Sequence, residues 1–147
     1  MPIWIQWLNS LDLPCHYKIT REHVIPKSVL PPTITNQPHN IIGLPARLNH
    51  KRSNLKYVES TLPGVPVWPC KECRNPQCRL MGKLNKEGFT PPDIYKPVIA
   101  ASVLRSMYNN PFIVEVVHND VLDLGIALRW TNDSYESLPD SIKRLFL

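Results

Sequence analysis

Proline occurs sixteen times in this chain of 147 residues, against only five glycines. Each proline fixes one backbone torsion and removes one amide donor, so it ends strands and is tolerated in a helix only at the first turn. A chain punctuated this often is expected to be modest in regular structure and rich in stiff, irregular connections.

Between the prolines, "HYKITREHVI" is a first strand candidate, with β-favouring Tyr17, Ile19, Thr20, Val24 and Ile25. Pro26 closes it, so the strand should finish near His23 to Ile25. Within a strand, Glu22 and His23 would point to opposite faces, but at a strand end both side chains can converge on a cleft. "PKSVLPPTITNQPH" reads as a surface loop without regular structure, and "NIIGL" as a second short strand. "PARLNHKRSNLKYVEST" reads as a helix with Pro45 as its first residue and Leu44, Leu48 and Leu55 toward the core.

Residues 61–88 are too dense in Pro, Gly and Cys for a regular element. Beyond them, "TPPDIYKPVIAASVLRSMYNN" has helical apolar spacing (Ile94, Val98, Ala101, Leu104, Tyr108), with Pro97 either in its first turn or kinking it. "FIVEVV" reads as a strand, "NDVLDLGIALRW" as a helix capped by Asn119, and "PDSIKRLFL" as a last helical turn or two. The start, "MPIWIQWLNSLDLP", spaces Ile3, Trp4, Trp7, Leu8 and Leu11 as a short amphipathic helix does. The expectation is one α+β domain over 1–147, with a core at about 16–60, an irregular loop at about 61–88 and packing helices over 90–147.

Charge is unevenly spread. Residues 15–86 hold 12 of the 17 Lys and Arg but 3 of the 12 Asp and Glu, a local balance of +9 within a net charge of +5. A concentrated basic region suits a polyanion such as nucleic acid, and equally a solvated basic face. No apolar run reaches the ~18 residues of a membrane span, and the first residues lack the pattern of a secretory signal. An intracellular protein is therefore expected, with no membrane partner. In that setting the four cysteines point to metal before disulfides. Cys70, Cys73 and Cys78 are spaced C-x2-C-x4-C, and Cys15 is the candidate fourth thiolate of a structural Zn²⁺ site, with His16 as a substitute ligand. Two disulfides or buried thiols are the alternative.

The residues that carry chemistry lie along strand, loop, strand and helix: Glu22-His23, His39-Asn40, and then "NHKRSN" from Asn49 to Asn54. On a helix, Asn49, Arg52 and Ser53 share a face. Mg²⁺ takes oxygen ligands and keeps several waters, so Glu22 and Asn49 meet its needs. The adjacent His23 can take a proton from water, and Arg52 offers a forked donor to phosphate. These are the parts of metal-assisted phosphodiester hydrolysis. His50 and Asn54 form the competing pair on that helix. His39, Glu115, His118 and Asp123 are assigned no function.

The segments "REHVIPKS", "PHNIIGLPARLNHKRSN" and "FTPPDIYKPVIAASVLRSMY", in that order from Arg21 to Tyr108, resemble the ββα-metal (HNH-type) nucleases. The likeness is greatest to the bacterial endonuclease I family of DNases. The resemblance implies a ββα-metal core carrying added helices, and a DNA endonuclease using Mg²⁺ or Mn²⁺. It implies His23 as general base, Glu22 and Asn49 as the metal ligands and Asn40 as a brace for the loop that orients the base. It further implies Arg52 as a phosphate contact, and products with 5′-phosphate and 3′-hydroxyl ends. It favours Asn49 over His50 or Asn54, because Asn49 occupies the matching position. Lys27, Arg47, Lys51 and Arg52 are the expected nucleic-acid contacts, and RNA is a second candidate substrate. His50 and Pro97 stand where the family commonly has glycine. Two other functions fit the same residues. A homing- or restriction-type enzyme would cut at a unique site, commonly as a homodimer, and a zinc-dependent nucleic-acid-binding protein would not cut at all.

Overall fold

The computed structural model describes residues 2–13, 15–71, 75 and 77–147. Strand β1 (Ile19–His23) pairs antiparallel with β2 (Ile41–Pro45), placing Glu22 opposite Ile42 and His23 opposite Ile41. The connection between them crosses the end of the pair and contains helix α2 (Pro32–Thr35) and a 3-10 turn, Pro38–Asn40. Helix α3 (Ala46–Arg52) follows β2 directly, and its first amide donates to Lys18 O at 2.7 Å. Two strands and a helix thus come in the order expected. Pro45 is the last strand residue and the helix cap, not the first helical residue.

A second sheet, in the order β3-β4-β5, is formed by β3 (Val65–Val67), β4 (Gly82–Asn85) and β5 (Gly88–Thr90). The remaining helices are α1 (Pro2–Ser10), α4 (Lys96–Asn109), α5 (Val114–Asp120), α6 (Leu124–Ser134) and α7 (Asp140–Lys143). The molecule is mixed α and β, and prolines 32, 97 and 111 sit where helical turns begin. Regular structure is therefore more plentiful than the proline content suggests, because several prolines start helical turns rather than interrupt them. Among the described residues, no helix is long and apolar enough to cross a membrane.

One core joins these parts. Ile42, Leu44 and Leu48 from the strand–helix unit, Val98, Ile99 and Val103 of α4, and Trp4, Trp7 and Leu8 of α1 all belong to it. Truncating a fully buried residue such as Leu48 would cost about 2–5 kcal/mol. Gly43 lets α1 approach β2, since a Cβ there would lie 2.4 Å from Trp4 Cγ. Tyr95, edge-on to Trp7 at 5.3 Å, donates its hydroxyl to Gly43 O at 2.7 Å. The 3-10 turn Asp93–Tyr95, which leads into α4, is thereby tied directly to the strand pair.

Several expected elements differ. The helix after β2 stops at Arg52, because Ser53 adopts a left-handed φ of 53° and the chain turns away. Leu55 then lies outside the helix and is 40% exposed. "FIVEVV" is helical: Ile113 and Val117 are its buried positions, a spacing of one helical turn, whereas a strand would bury Glu115 as well. Asn119 lies inside α5, and the cap of α6 is Asp123, whose Oδ1 accepts from Ile126 N at 3.2 Å. The segment 61–88 does hold strands, closed by a tight turn in which Gly88 takes a φ of 147°. A side chain at Gly88 would meet Lys56 O at 2.3 Å.

Candidate active site

The loop after β1 is held in shape by Asn40. Its Oδ1 accepts from Ile25 N at 2.8 Å, and its Nδ2 donates to Ile25 O at 3.1 Å and Thr35 O at 2.9 Å. Its backbone oxygen accepts from Val24 N at 3.0 Å. The side chain is wholly buried, so each of these bonds replaces one that water would otherwise make. Asn40 has the geometry of the expected brace. Its neighbour His39 packs under α4, where Ser102 donates to its backbone oxygen at 2.8 Å, and burial and Arg105 lower the ring's pKa.

Glu22 is only 3% exposed and forms the floor of the site. Its Oε2 accepts from the Tyr57 hydroxyl at 3.1 Å, and its Oε1 lies 3.4 Å from Arg52 Nη1. Burial pushes the carboxyl up to about 7, against the opposing pull of the Arg52 charge and of the Tyr57 and Arg52 hydrogen bonds. Arg52 is fully buried. It donates to Leu55 O (2.7 Å), His23 O (3.1 Å) and Val24 O (2.9 Å), and its guanidinium stacks 4.0 Å above the Tyr57 ring. The expected phosphate contact is therefore corrected: Arg52 faces inward and ties the helix to the end of β1. A helical repeat places Arg52 on a face with Asn49, but the face itself straddles the core boundary.

Asn49 sits one turn earlier, at the surface. Its Nδ2 donates both to Thr20 Oγ1 and to Arg21 O, each at 2.9 Å. With the nitrogen doubly committed, the amide cannot turn over without losing both bonds. Among the described residues nothing donates to its Oδ1. His23, the last residue of β1, is half-buried, with Nε2 3.0 Å from Asn36 Oδ1. Glu22, His23 and Asn49 line one open cleft of about 400 Å³ together with Arg21, Pro26, Lys27, Ser28, Ser53 and Asn54. His50 is exposed on α3 and does not line this cleft, whereas Asn54 does.

Of the basic residues expected to meet nucleic acid, Lys27 lines the cleft and Lys51 is exposed on α3 outside its lining. Arg47 is half-buried, its Nε 3.4 Å from Trp68 O. Arg21 joins the cleft wall although its sequence position gave it no special role. Tyr57, Thr20 and Asn36 likewise belong to the site only through folding. Tyr57 lies 35 residues from the carboxylate it touches.

The sulfurs of Cys15 and Cys78, 63 residues apart in sequence, lie 3.3 Å from one another. That is well beyond the ~2.05 Å of a disulfide bond. Cys70 is buried, and Cys73 lies outside the described residues. Among the described residues, no group of three or more potential metal ligands is gathered. His16, the substitute zinc ligand, is exposed. Compared with protein-family models, curated proteins and solved structures, the chain matches none of them.

Proposed function

We propose that the protein is a divalent-metal-dependent endonuclease that hydrolyses DNA phosphodiester bonds. The observation that carries this reading is the meeting of Glu22, His23 and Asn49 in one open cleft, where two antiparallel strands and the following helix converge. The donors fit a hard cation. A carboxylate has about four acceptor positions, of which Tyr57 and Arg52 take two, and the Asn49 amide is held by its nitrogen with its oxygen unengaged. Bound by Glu22 and Asn49, Mg²⁺ or Mn²⁺ would supply a Lewis acid for the phosphate and stabilise charge on the departing oxygen.

The chain's own groups do the rest. His23 takes the proton from the attacking water. Asn40 fixes the backbone from which His23 projects, and Arg52 fixes the same turn from the helix side through His23 O and Val24 O. Lys27 and Arg21, on the cleft wall, attract and seat the phosphate backbone. Cys15, Cys70, Cys73 and Cys78 would hold a structural Zn²⁺, a reading supported by the close approach of Cys15 to Cys78.

The test is incubation of wild type and His23→Ala with supercoiled plasmid, and separately with RNA, with Mg²⁺ or with chelator. Wild type should nick or linearise DNA only with the cation. His23→Ala should lose at least about 100-fold in rate while keeping its fold and DNA affinity. Discrete fragments would identify a sequence-specific enzyme, and a smear a non-specific one. Cleavage that survives His23→Ala would overturn the assignment, and binding without cleavage would leave a nucleic-acid-binding protein.

A further inference from the structure

We infer that Asn36 is a positioning residue for His23, holding the ring through Nε2–H and leaving Nδ1 with the open lone pair. The ring Nε2 is 3.0 Å from Asn36 Oδ1. An amide oxygen only accepts, so the ring nitrogen facing it carries the hydrogen, and in the neutral ring the other nitrogen is then bare. Among the described residues, this is the only hydrogen bond made by the His23 side chain. The strand ends at His23, so no further sheet residue confines the ring.

A useful acceptor needs a fixed base: the Asn36 side chain is exposed, but the backbone that carries it is held on both sides. Its amide donates to Pro32 O at 2.9 Å, closing α2. The carbonyl before it, on Thr35, accepts from Asn40 Nδ2 at 2.9 Å. After it, Gln37 donates from Nε2 to Thr33 O at 3.0 Å, and its Oε1 accepts from Asn110 Nδ2 at 3.3 Å. Asn110 caps α4, whose inner face lies in the core. The short helix in the proline-rich connection therefore has a use: it carries the acceptor that aims the ring, anchored to the longest helix described.

The role rests on the nuclease reading, whereas the contact does not, and the experiment separates them. Rates of plasmid cleavage at saturating Mg²⁺ would be compared for wild type, Asn36→Ala, Asn36→Asp, His23→Ala and the His23→Ala/Asn36→Ala double variant. Asn36→Ala should lower kcat about 10- to 100-fold, the scale of a misplaced catalytic group, with KM for DNA unchanged. Asn36→Asp keeps an acceptor oxygen and should recover most of the rate. In the His23→Ala background, losing Asn36 should cost nothing more, because it acts only through the ring. A loss confined to KM, or a fully additive double variant, would overturn the inference. Ring ¹⁵N shifts of His23, read at alkaline pH, should show one Nε2–H tautomer in wild type and a mixture in Asn36→Ala. A wild type that cleaves with its ring already averaged overturns Asn36 alone. A wild type that holds the single tautomer and cleaves nothing overturns the nuclease reading, and the role with it.

Discussion

Replacing Arg52 with methionine removes a charge from the interior while keeping a similar volume. Three carbonyls, on His23, Val24 and Leu55, lose a charged donor, and Glu22 loses its ion-pair partner. Deleting one member of a buried pair costs about 3–5 kcal/mol, and a domain of this kind is stable by only about 5–15 kcal/mol. In urea, where stability falls by about 2 kcal/mol per molar denaturant, the unfolding midpoint should drop by about 2 M. The deficit should also grow with pH. Arg52 pulls the Glu22 carboxyl down toward its value of about 7, so without Arg52 the acid titrates higher, and the variant forgoes a paired carboxylate that wild type has at pH 8. Adding Glu22→Gln to Arg52→Met should restore more of the loss at pH 8 than at pH 6. The assay is a urea titration followed by circular dichroism at both pH values, with plasmid binding measured across a salt series. An unshifted midpoint together with weaker binding and a shallower salt dependence would refute the buried role and return Arg52 to the phosphates.

Because burial raises Glu22 from 4.5 to about 7, ionising it opposes folding. Its contribution to stability is fully present below the unfolded value and is lost as pH rises through the folded one, by about 3 kcal/mol. Melts in magnesium-free buffer should therefore weaken between pH 5 and pH 8, Glu22→Gln should flatten that slope, and an identical slope in the variant would refute it. Asn49→Ala should raise the Mg²⁺ concentration needed for half-maximal cleavage. Thr20→Val, which deletes one acceptor of the Asn49 amide, should shift it the same way by less. If His50→Ala produces the shift and Asn49→Ala does not, the metal lies on the other face of α3. Cys15→Ser and Cys78→Ser should each abolish binding of about one zinc per chain and lower the melting temperature, and retention of zinc by Cys15→Ser would refute Cys15 as a ligand.

The strand pair, the helix after it and the proline-started α4 were legible because local signals agreed: alternation, a closing proline and helical apolar spacing. Where they failed, tertiary contacts decided. The run "FIVEVV" has strand propensity, yet among the described residues no strand pairs with it, and it buries Ile113 and Val117 as a helix. Strands of three or four residues, like those at 65–67 and 88–90, leave too little alternation to read through surrounding prolines and glycines. Chemistry and spacing single out Glu22, His23 and Asn49, and the fold brings them to one cleft. Their supports were not legible: Tyr57 reaches Glu22 from beyond the helix, and Asn36 reaches His23 from a connection that looks structureless. Arg52 shows the limit most plainly, since the same guanidinium that would suit a phosphate instead satisfies three carbonyls inside.

Tyr57 also pairs through its backbone with Phe89 on one side and Leu122 on the other. Its amide donates to Val121 O at 2.8 Å, and the amide of the next residue donates to Phe89 O at 3.0 Å. The hydroxyl that seats Glu22 is thus anchored by segments made long after the strand pair. During synthesis, a nascent chain would hold Glu22, His23 and Asn49 as soon as α3 emerged, but Tyr57 would lack its anchors until Leu122 had cleared the ribosome. The floor of the cleft is consequently a late-assembling part of the molecule, seated only once the chain through Leu122 has folded around it.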